Sequence, residues 1–251
     1  ALGWIRKQQQ AKTPFFAYIS TNAPHGPMIA PQKNKKRFAD LGWGDRTQGR
    51  YGMIENIDEN FGLLMRKLDE WKLWDNTLVI FMTDNGQAGS SGRKNGKGVR
   101  MHSAGFKTGK GSQYEGGTHV PAFWRWKGKL GEGVDIPALT AHIDLFKTFC
   151  ELAGAAIPEG IQEIDGRSLL PLLEKPKAEW PDRTLFTHKG RWEKGADPNK
   201  SKLKSCAVRS QRWRFVDNRI LYDIAADPYE KKDVAAEHPE VVSRLRKAYD
   251  A

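Results

Sequence analysis

An aspartate and an asparagine stand side by side where their oxygen atoms could bind a cation. Asp84 and Asn85 follow residues 77–82, an apolar run that predicts a buried strand. Ligands of open α/β sheets bind at the carboxyl ends of strands. Carboxylate and amide oxygens suit Ca²⁺ and Mg²⁺, which take six or more oxygen ligands. The pair therefore predicts part of a divalent cation site, although an ordinary turn leaving a strand has the same residue types.

A lysine and a histidine in glycine- or proline-flanked loops could act on an anion. Lys110 lies between Gly109 and Gly111, where a backbone free of side chains can approach a ligand closely. His25 follows residues 15–19, a second apolar run that predicts a strand. An imidazole there could donate a proton to an ester oxygen. Each of the two is also compatible with a solvated surface residue.

The elements that must position these residues alternate between helices and strands. Apolar residues at three- and four-residue spacing predict an amphipathic helix over residues 50–73. The sequence predicts a further strand over residues 120–126 and helices over residues 143–153 and 239–249. Short runs joined by polar turns predict an antiparallel meander at residues 184–188, 207–209, 212–216 and 220–223. We therefore expect an α/β domain over residues 1–160 and a small antiparallel subdomain over residues 161–251.

Composition and charge exclude several classes of protein. The chain has 251 residues, of which 39% are hydrophobic, so wholesale disorder, collagen and coiled coil are excluded. No run approaches the roughly 20 apolar residues that cross a bilayer. The formal net charge of +11 predicts an anionic partner or substrate.

Positive charge is concentrated in two segments. Residues 86–111 contain eight glycines, six Lys or Arg and no carboxylate, which predicts a long, flexible, cationic loop. Residues 189–214 contain nine Lys or Arg and two carboxylates. This second segment is either a solvated face or a subsite for a polyanionic substrate. No nucleic-acid motif accompanies it, so we do not expect specific nucleic-acid binding.

Several motifs, taken in their order along the chain, resemble those of the sulfatase family, and they cover the chain almost from end to end. The matching segments are residues 15–25, residues 77–86 with their final Thr-Asp-Asn-Gly, and residues 109–117, together with the shorter motifs at 143–145, 165–169 and 221–223. The resemblance implies the alkaline-phosphatase-like fold, with a mixed central sheet and flanking helices. It also implies hydrolysis of sulfate esters by a formylglycine hydrate beside a divalent cation, usually Ca²⁺.

The resemblance gives each candidate residue a role. It implies that Asp84 and Asn85 are two ligands of Ca²⁺, with Mg²⁺ as the alternative ion. Lys110 would hold a sulfate oxygen, and His25 would contact the sulfate and protonate the leaving alcohol, so both would be catalytic and substrate-binding. These roles fit the chemistry, because charge develops on the sulfate and leaving oxygens during the reaction. The implied substrate is a sulfate ester, with a sulfated polysaccharide as one form.

The sequence departs from the family pattern in two places. His119 stands where the family commonly has an arginine, within residues 116–122. The family's nucleophile motif, Cys/Ser-x-Pro/Ala-x-Arg, begins at neither Cys150 nor Cys206. We therefore expect that this chain lacks the nucleophile, that it is roughly the C-terminal half of a sulfatase, and that it is inactive by itself.

Two other functions remain open at this point. A phosphodiesterase or phosphonate hydrolase of the same superfamily would share the fold and the metal site, but would differ in nucleophile and anion. A non-catalytic binder of polyanions would use the net positive charge without turnover. For the cellular location, the family resemblance implies the periplasm or secretion.

Overall fold

The computed structural model describes residues 1–88, 91–100, 102–161, 163–190 and 193–250. The chain forms two compact units. The first unit contains Ala1–Phe81, Ala88–His102 and Phe123–Lys127, and the second contains Met82–Gln87, Ser103–Ala122 and Gly128–Ala251. The division at residue 160 that the sequence suggests stays a prediction. Within the described residues, no helix is both long and apolar enough to cross a membrane.

Three helices build the first unit. They are α1 (Leu2–Ala11), α2 (Gln32–Asp40) and α3 (Asp45–Glu70). The long helix α3 confirms the helix predicted from the apolar spacing, with both ends slightly earlier in the chain. Its Leu68 packs with Ile5 of α1 and with Trp74, which lies in a short 3₁₀ turn over Trp74–Asn76. The apolar stripe of α3 is thus the main source of this core.

Two pairs of strands lie mostly within the first unit. Strands β1 (Val79–Met82) and β4 (Ala122–Arg125) pair with each other. Strands β2 (Ser91–Lys94) and β3 (Lys97–Arg100) form an antiparallel hairpin. At its turn Asn95 and Gly96 have φ values of 49° and 75°, the conformation that two-residue hairpin loops favour. The segment predicted as a flexible loop is therefore partly a hairpin.

Residues 15–19 differ from the sequence prediction. The apolar run predicts a buried strand, but no strand is formed there, and Phe16 and Tyr18 are 69% and 83% exposed. A strand exists only through hydrogen bonds to a neighbouring strand. No described segment pairs with these residues in a sheet. The apolar run indicates that these side chains avoid water. A strand also requires a neighbouring strand to pair with, and the run does not specify one.

The second unit is organised by an antiparallel sheet. Its strands are β5 (Leu185–His188), β6 (Cys206–Arg209), β7 (Trp213–Val216) and β8 (Ile220–Asp223), in that spatial order. Its helices are α4 (Glu115–Thr118), α5 (Asp144–Ala153), α6 (Leu170–Glu174), α7 (Pro198–Ser201) and α8 (Pro239–Asp250). The meander and the last helix confirm the sequence prediction.

Strand β7 is buried on both faces. Successive side chains of a strand point to opposite faces, and Trp213 and Phe215 pack with Leu245 of α8. Val216 lies on the other face, in a cluster with Tyr222. Alternation places Arg214 on this second face as well, where an arginine needs a buried anion as partner.

A fully buried aspartate holds together the segments around α5. The Asp144 Oδ1 atom accepts hydrogen bonds from the Arg183 guanidinium at 2.7 Å and from the Arg167 backbone N–H at 2.8 Å. Its Oδ2 atom accepts the Ala141 N–H at 2.7 Å. A buried carboxylate is tolerated when it is paired and hydrogen-bonded in this way. The motifs at residues 143–145 and 165–169 therefore serve the structure of this unit.

Candidate functional site

The cation-binding candidates directly follow β1. Asp84 is exposed and Asn85 is half-buried. The Thr83 hydroxyl donates to the Asn85 carbonyl at 3.3 Å, and His142 Nε2–H donates to the Thr83 carbonyl at 2.8 Å. Among the described residues, the Asp84 carboxylate has no hydrogen-bond or ion-pair partner. Its oxygens are therefore available to a ligand.

Two backbone hydrogen bonds join this segment to the loop that carries Lys110. The Gly86 N–H donates to the Gly117 carbonyl at 3.0 Å, and the Lys110 N–H donates to the Gln87 carbonyl at 2.9 Å. The Lys110 side chain is exposed. The structure thus brings the Asp84 and Asn85 segment and the Lys110 segment onto adjoining loops of the second unit.

Glycines let these two loops approach more closely than any side chain would allow. A Cβ atom at Gly86 would lie 1.9 Å from the Gly116 carbonyl oxygen. At Gly109 it would lie 2.5 Å from the Gln87 carbonyl oxygen. Both distances are far inside van der Waals contact, so only glycine fits. Glycine is therefore required at these two positions for the loops to pack together, whereas the sequence indicates only that the segment is flexible.

We expect Gly86→Ala to separate the two loops. The methyl group would have to displace backbone, and overpacking of this kind costs about 1–3 kcal/mol of stability. Gly98→Ala is the matched control, because a Cβ atom at Gly98 meets nothing within 4 Å. Urea unfolding of both variants measures the difference. Equal unfolding free energies for the two variants would contradict the close packing.

A buried carboxylate supports the loop from within the second unit. Glu115, the first residue of α4, is 4% exposed and pairs with Arg214 of β7 and, at 3.1 Å, with Arg209 of β6. His119 Nδ1–H donates to its Oε2 atom at 2.7 Å. Burial opposes ionisation of Glu115, but the His119 hydrogen bond and the two guanidinium charges outweigh it and lower its pKa to about 2.

Glu230 and Lys107 extend this charged cluster. Glu230 accepts the Glu115 N–H at 2.9 Å, and burial raises the pKa of Glu230. The Lys107 ammonium donates to the Tyr222 hydroxyl at 2.8 Å and lies 4.7 Å from the centre of the Tyr114 ring. The Lys107 side chain is thus bound inside the unit, although the sequence predicts it to be one of the cations of a long, flexible loop.

His119, to which the sequence assigns no role, contacts the charged cluster around Glu115. Its ring stacks on Phe106 with centroids 4.8 Å apart, while its Nδ1–H bonds to Glu115. This histidine thus places a nitrogen donor beside the carboxylate four residues earlier. Sequence reasoning missed Glu115, Arg209 and Arg214 as a cluster, because about 100 residues separate the partners.

His25 lies in the first unit, on an exposed loop. Its Nδ1–H donates to the Gly26 carbonyl at 2.9 Å, and its backbone N–H donates to the Asn22 carbonyl at 2.9 Å. These bonds fix the loop locally. The role of His25 in catalysis stays a prediction.

The donor atoms near Asp84 fit part of a cation shell. Among the described residues, no group of three or more His, Cys, Asp and Glu side chains could hold a metal. Asp84 and Asn85 offer a free carboxylate and an amide, which are hard oxygen donors of the kind that Ca²⁺ binds. They can supply only some of the six or more ligands that this ion takes.

The expectation that no serine begins the nucleophile motif is wrong. Ser205, Ala207 and Arg209 have the Ser-x-Ala-x-Arg spacing. The Ser205 carbonyl accepts the Lys189 N–H at the start of β6, Ala207 is fully buried, and Arg209 pairs with Glu115. These contacts explain the three residues by their place in the sheet.

Comparison with known proteins identifies the family. The Sulfatase family matches residues 1–155, and the family described as N-sulphoglucosamine sulphohydrolase, C-terminal, matches residues 108–250. An N-acetylgalactosamine-6-O-sulfatase of Bacteroides thetaiotaomicron is 32% identical over 92% of this chain and 46% of its own length. An N-acetylgalactosamine-6-sulfatase of Sus scrofa is 30% identical over 98% of this chain and 49% of its own length.

A solved structure extends the likeness to the fold. Ps i-CgsB in complex with k-i-k-neocarrahexaose has a TM-score of 0.83 and 28% identity, over 99% of this chain and 52% of that one. The chain therefore spans about half the length of these relatives. The expected alkaline-phosphatase-like α/β fold is confirmed. The chain belongs to the sulfatase family.

Proposed function

We propose that the protein takes part in the hydrolysis of sulfate esters on sugars. The observation that carries this proposal is the pairing of the Asp84 and Asn85 segment with the Lys110 segment through two backbone hydrogen bonds, in a chain of the sulfatase family. The substrate class is supported by relatives named N-acetylgalactosamine-6-sulfatases and by a structural neighbour in complex with a neocarrahexaose. These names favour a sulfatase over a phosphonate hydrolase or a non-catalytic binder.

In this proposal each residue acts on a particular atom of the ester. Asp84 and Asn85 would hold a Ca²⁺ ion through their oxygens, and the ion would supply positive charge that stabilises the charge developing on the sulfate. The Lys110 ammonium binds a sulfate oxygen, and its backbone N–H bond to Gln87 fixes where the side chain starts. His25 contacts the sulfate and protonates the leaving alcohol oxygen.

The attacking group is proposed to come from outside these 251 residues. Cys206 is 3% exposed, and burial raises the pKa of its thiol, which opposes the thiolate form. Cys150 is half-buried within α5. Neither begins the motif from which a formylglycine is made, and Ser205, which has the Ser-x-Ala-x-Arg spacing, lies at the start of β6. We therefore propose that the motif lies in another part of the protein, where a formylglycine hydrate would supply the oxygen that displaces the alcohol from the sulfur.

Calcium binding by the 251-residue chain tests the metal assignment. Two ligands out of six or more predict weak binding, with a Kd on the order of 1 mM. Asp84→Ala should abolish it, because it removes the only charged ligand of the pair. Titration calorimetry measures Ca²⁺ binding by the unmodified chain and by the Asp84→Ala variant.

Asp135→Ala is the matched control, since Asp135 is an exposed aspartate of the same unit. It should bind Ca²⁺ like the unmodified chain. Submicromolar binding by the chain would mean that it holds a complete shell. Unchanged binding by Asp84→Ala would remove Asp84 from the ligands.

A further inference from the structure

The connection between β5 and β6 is much longer than a hairpin needs. The two strands pair antiparallel up to His188 and Cys206, and residues 189–205 lie between them. Most hairpin loops have about 2–5 residues, and connections longer than about 12–15 residues are uncommon and usually either functional or linker segments. The Lys189 N–H donates to the Ser205 carbonyl at 2.9 Å and closes the base of the loop. We call this connection, of which the structure describes residues 189–190 and 193–205, the β5–β6 loop.

Local contacts hold parts of this loop in place. Asp197 caps α7 by accepting the Asn199 N–H at 2.9 Å. Farther along, the Tyr249 hydroxyl donates to the Lys202 carbonyl, and the Lys202 ammonium pairs with Asp250 at 3.2 Å. Helix α8 therefore anchors the second half of the loop.

The structure divides the basic segment of residues 189–214 into two kinds of cation. Arg209, Arg212 and Arg214 on the sheet are ion-paired with Glu115, Asp223 and Glu115, respectively. Four lysines of the β5–β6 loop are exposed and, within the described part of the chain, have no carboxylate partner: Lys189, Lys194, Lys200 and Lys204. Among the described cations of this segment, those without a carboxylate partner therefore lie on the loop.

An aromatic pair, the exposed Phe186 and the half-buried Tyr249, adjoins this loop through Lys202. Phe186 on β5 is 53% exposed, and its ring centroid lies 6.0 Å from that of Tyr249. The Lys202 ammonium lies 5.5 Å from the centre of the Tyr249 ring. Aromatic rings offer a flat apolar face on which the C–H face of a sugar can pack, while ammonium groups attract sulfate.

We propose that the β5–β6 loop, with Phe186 and Tyr249, binds a non-reacting stretch of a sulfated polysaccharide. This proposal rests on the proposed function, because the sulfated sugar is the substrate class named there. The lysines bind sulfate groups and the two rings pack against pyranose faces. A nucleic acid would use the same residue types, but membership of the sulfatase family favours the sugar.

Binding of a fluorescent chondroitin 6-sulfate octasaccharide by the 251-residue chain tests the surface. The combined Lys194→Gln, Lys200→Gln and Lys204→Gln variant should weaken binding about tenfold and flatten the dependence of log K on log salt, because fewer counterions are released. Phe186→Ser should weaken binding several-fold, on the order of a stacking contact, and leave the salt slope unchanged. Fluorescence anisotropy at several salt concentrations measures both effects.

A variant with Lys7→Gln, Lys175→Gln and Lys177→Gln is the matched control. All three lysines are exposed, and the loss of charge is the same. We expect less than a twofold change in affinity. An equal loss in both triple variants would assign the binding to net charge and overturn the proposal.

Two further ligands complete the test. The desulfated octasaccharide should bind at least tenfold more weakly, and an oligothymidylate of equal charge should bind no better than the desulfated sugar. Tight binding of either ligand, or no binding of the sulfated one, would overturn the proposal. Because none of these readouts needs turnover, a failure here leaves sulfate-ester hydrolysis intact. A full-length protein that releases no sulfate would refute the proposed function alone.

Discussion

Lys110→Ala in the full-length protein should lower the turnover of a small aryl sulfate by about 100-fold or more. One preorganised group that stabilises developing charge is typically worth about 10²–10³ in kcat. The effect should appear in kcat as well as in kcat/KM, because charge on the sulfate oxygens grows towards the transition state. Steady-state kinetics with a chromogenic aryl sulfate and Ca²⁺ measure it.

Lys175→Ala provides the control for the loss of an exposed lysine. Lys175 is exposed and directly follows α6, and its removal should change kcat by less than twofold. Calcium binding of the Lys110→Ala protein should be unaltered, since Lys110 contributes no oxygen ligand. A variant that keeps kcat and only raises KM would assign Lys110 to ground-state binding and contradict the catalytic role.

Glu115→Gln should destabilise the 251-residue chain by about 3 kcal/mol at neutral pH. The pKa of Glu115 is lowered from 4.5 to about 2, and each pKa unit corresponds to about 1.4 kcal/mol. The neutral amide would also leave Arg214 buried beside a weaker acceptor. Urea unfolding of the chain and the variant gives the difference directly.

The pH dependence of this difference identifies its source. Because the folded-state pKa of Glu115 lies below the unfolded value, its stabilisation is complete above about pH 4.5 and is lost as the pH falls towards about 2. Burial is the main cause that raises the pKa of Glu230, and the Glu115 charge raises it further. Glu115→Gln removes that second cause, which offsets part of the lost stabilisation. The difference in unfolding free energy between the chain and the Glu115→Gln variant should therefore become smaller from pH 7 to pH 4 and pH 3.

Glu240→Gln is the control for this experiment. The Glu240 side chain is 70% exposed at the start of α8, so its replacement should change stability by about 0.5 kcal/mol or less. A gap between the chain and Glu115→Gln that stays constant down to pH 3 would show that the carboxylate charge is not what stabilises the cluster.

Patterns that span only a few residues predicted their elements well. The apolar spacing of α3 and the short alternating runs of β5 to β8 gave the right elements, because both signals lie within one helix or one hairpin. The same locality explains the error at residues 15–19. An apolar run states that side chains avoid water, but it does not state which strand will pair with it.

The sequence by itself determined the sulfatase family, the α/β class and the position of Asp84 and Asn85 after a strand, since these depend on motifs and short-range order. Only the tertiary structure decided which charges are free. It paired Arg209 and Arg214 with Glu115 and placed Lys107 between Tyr114 and Tyr222. It left the lysines of the β5–β6 loop exposed. Ion pairs between residues about 100 positions apart form only when the strands and loops that carry them pack together. The spacing of residues along the chain does not indicate which strands and loops will pack together.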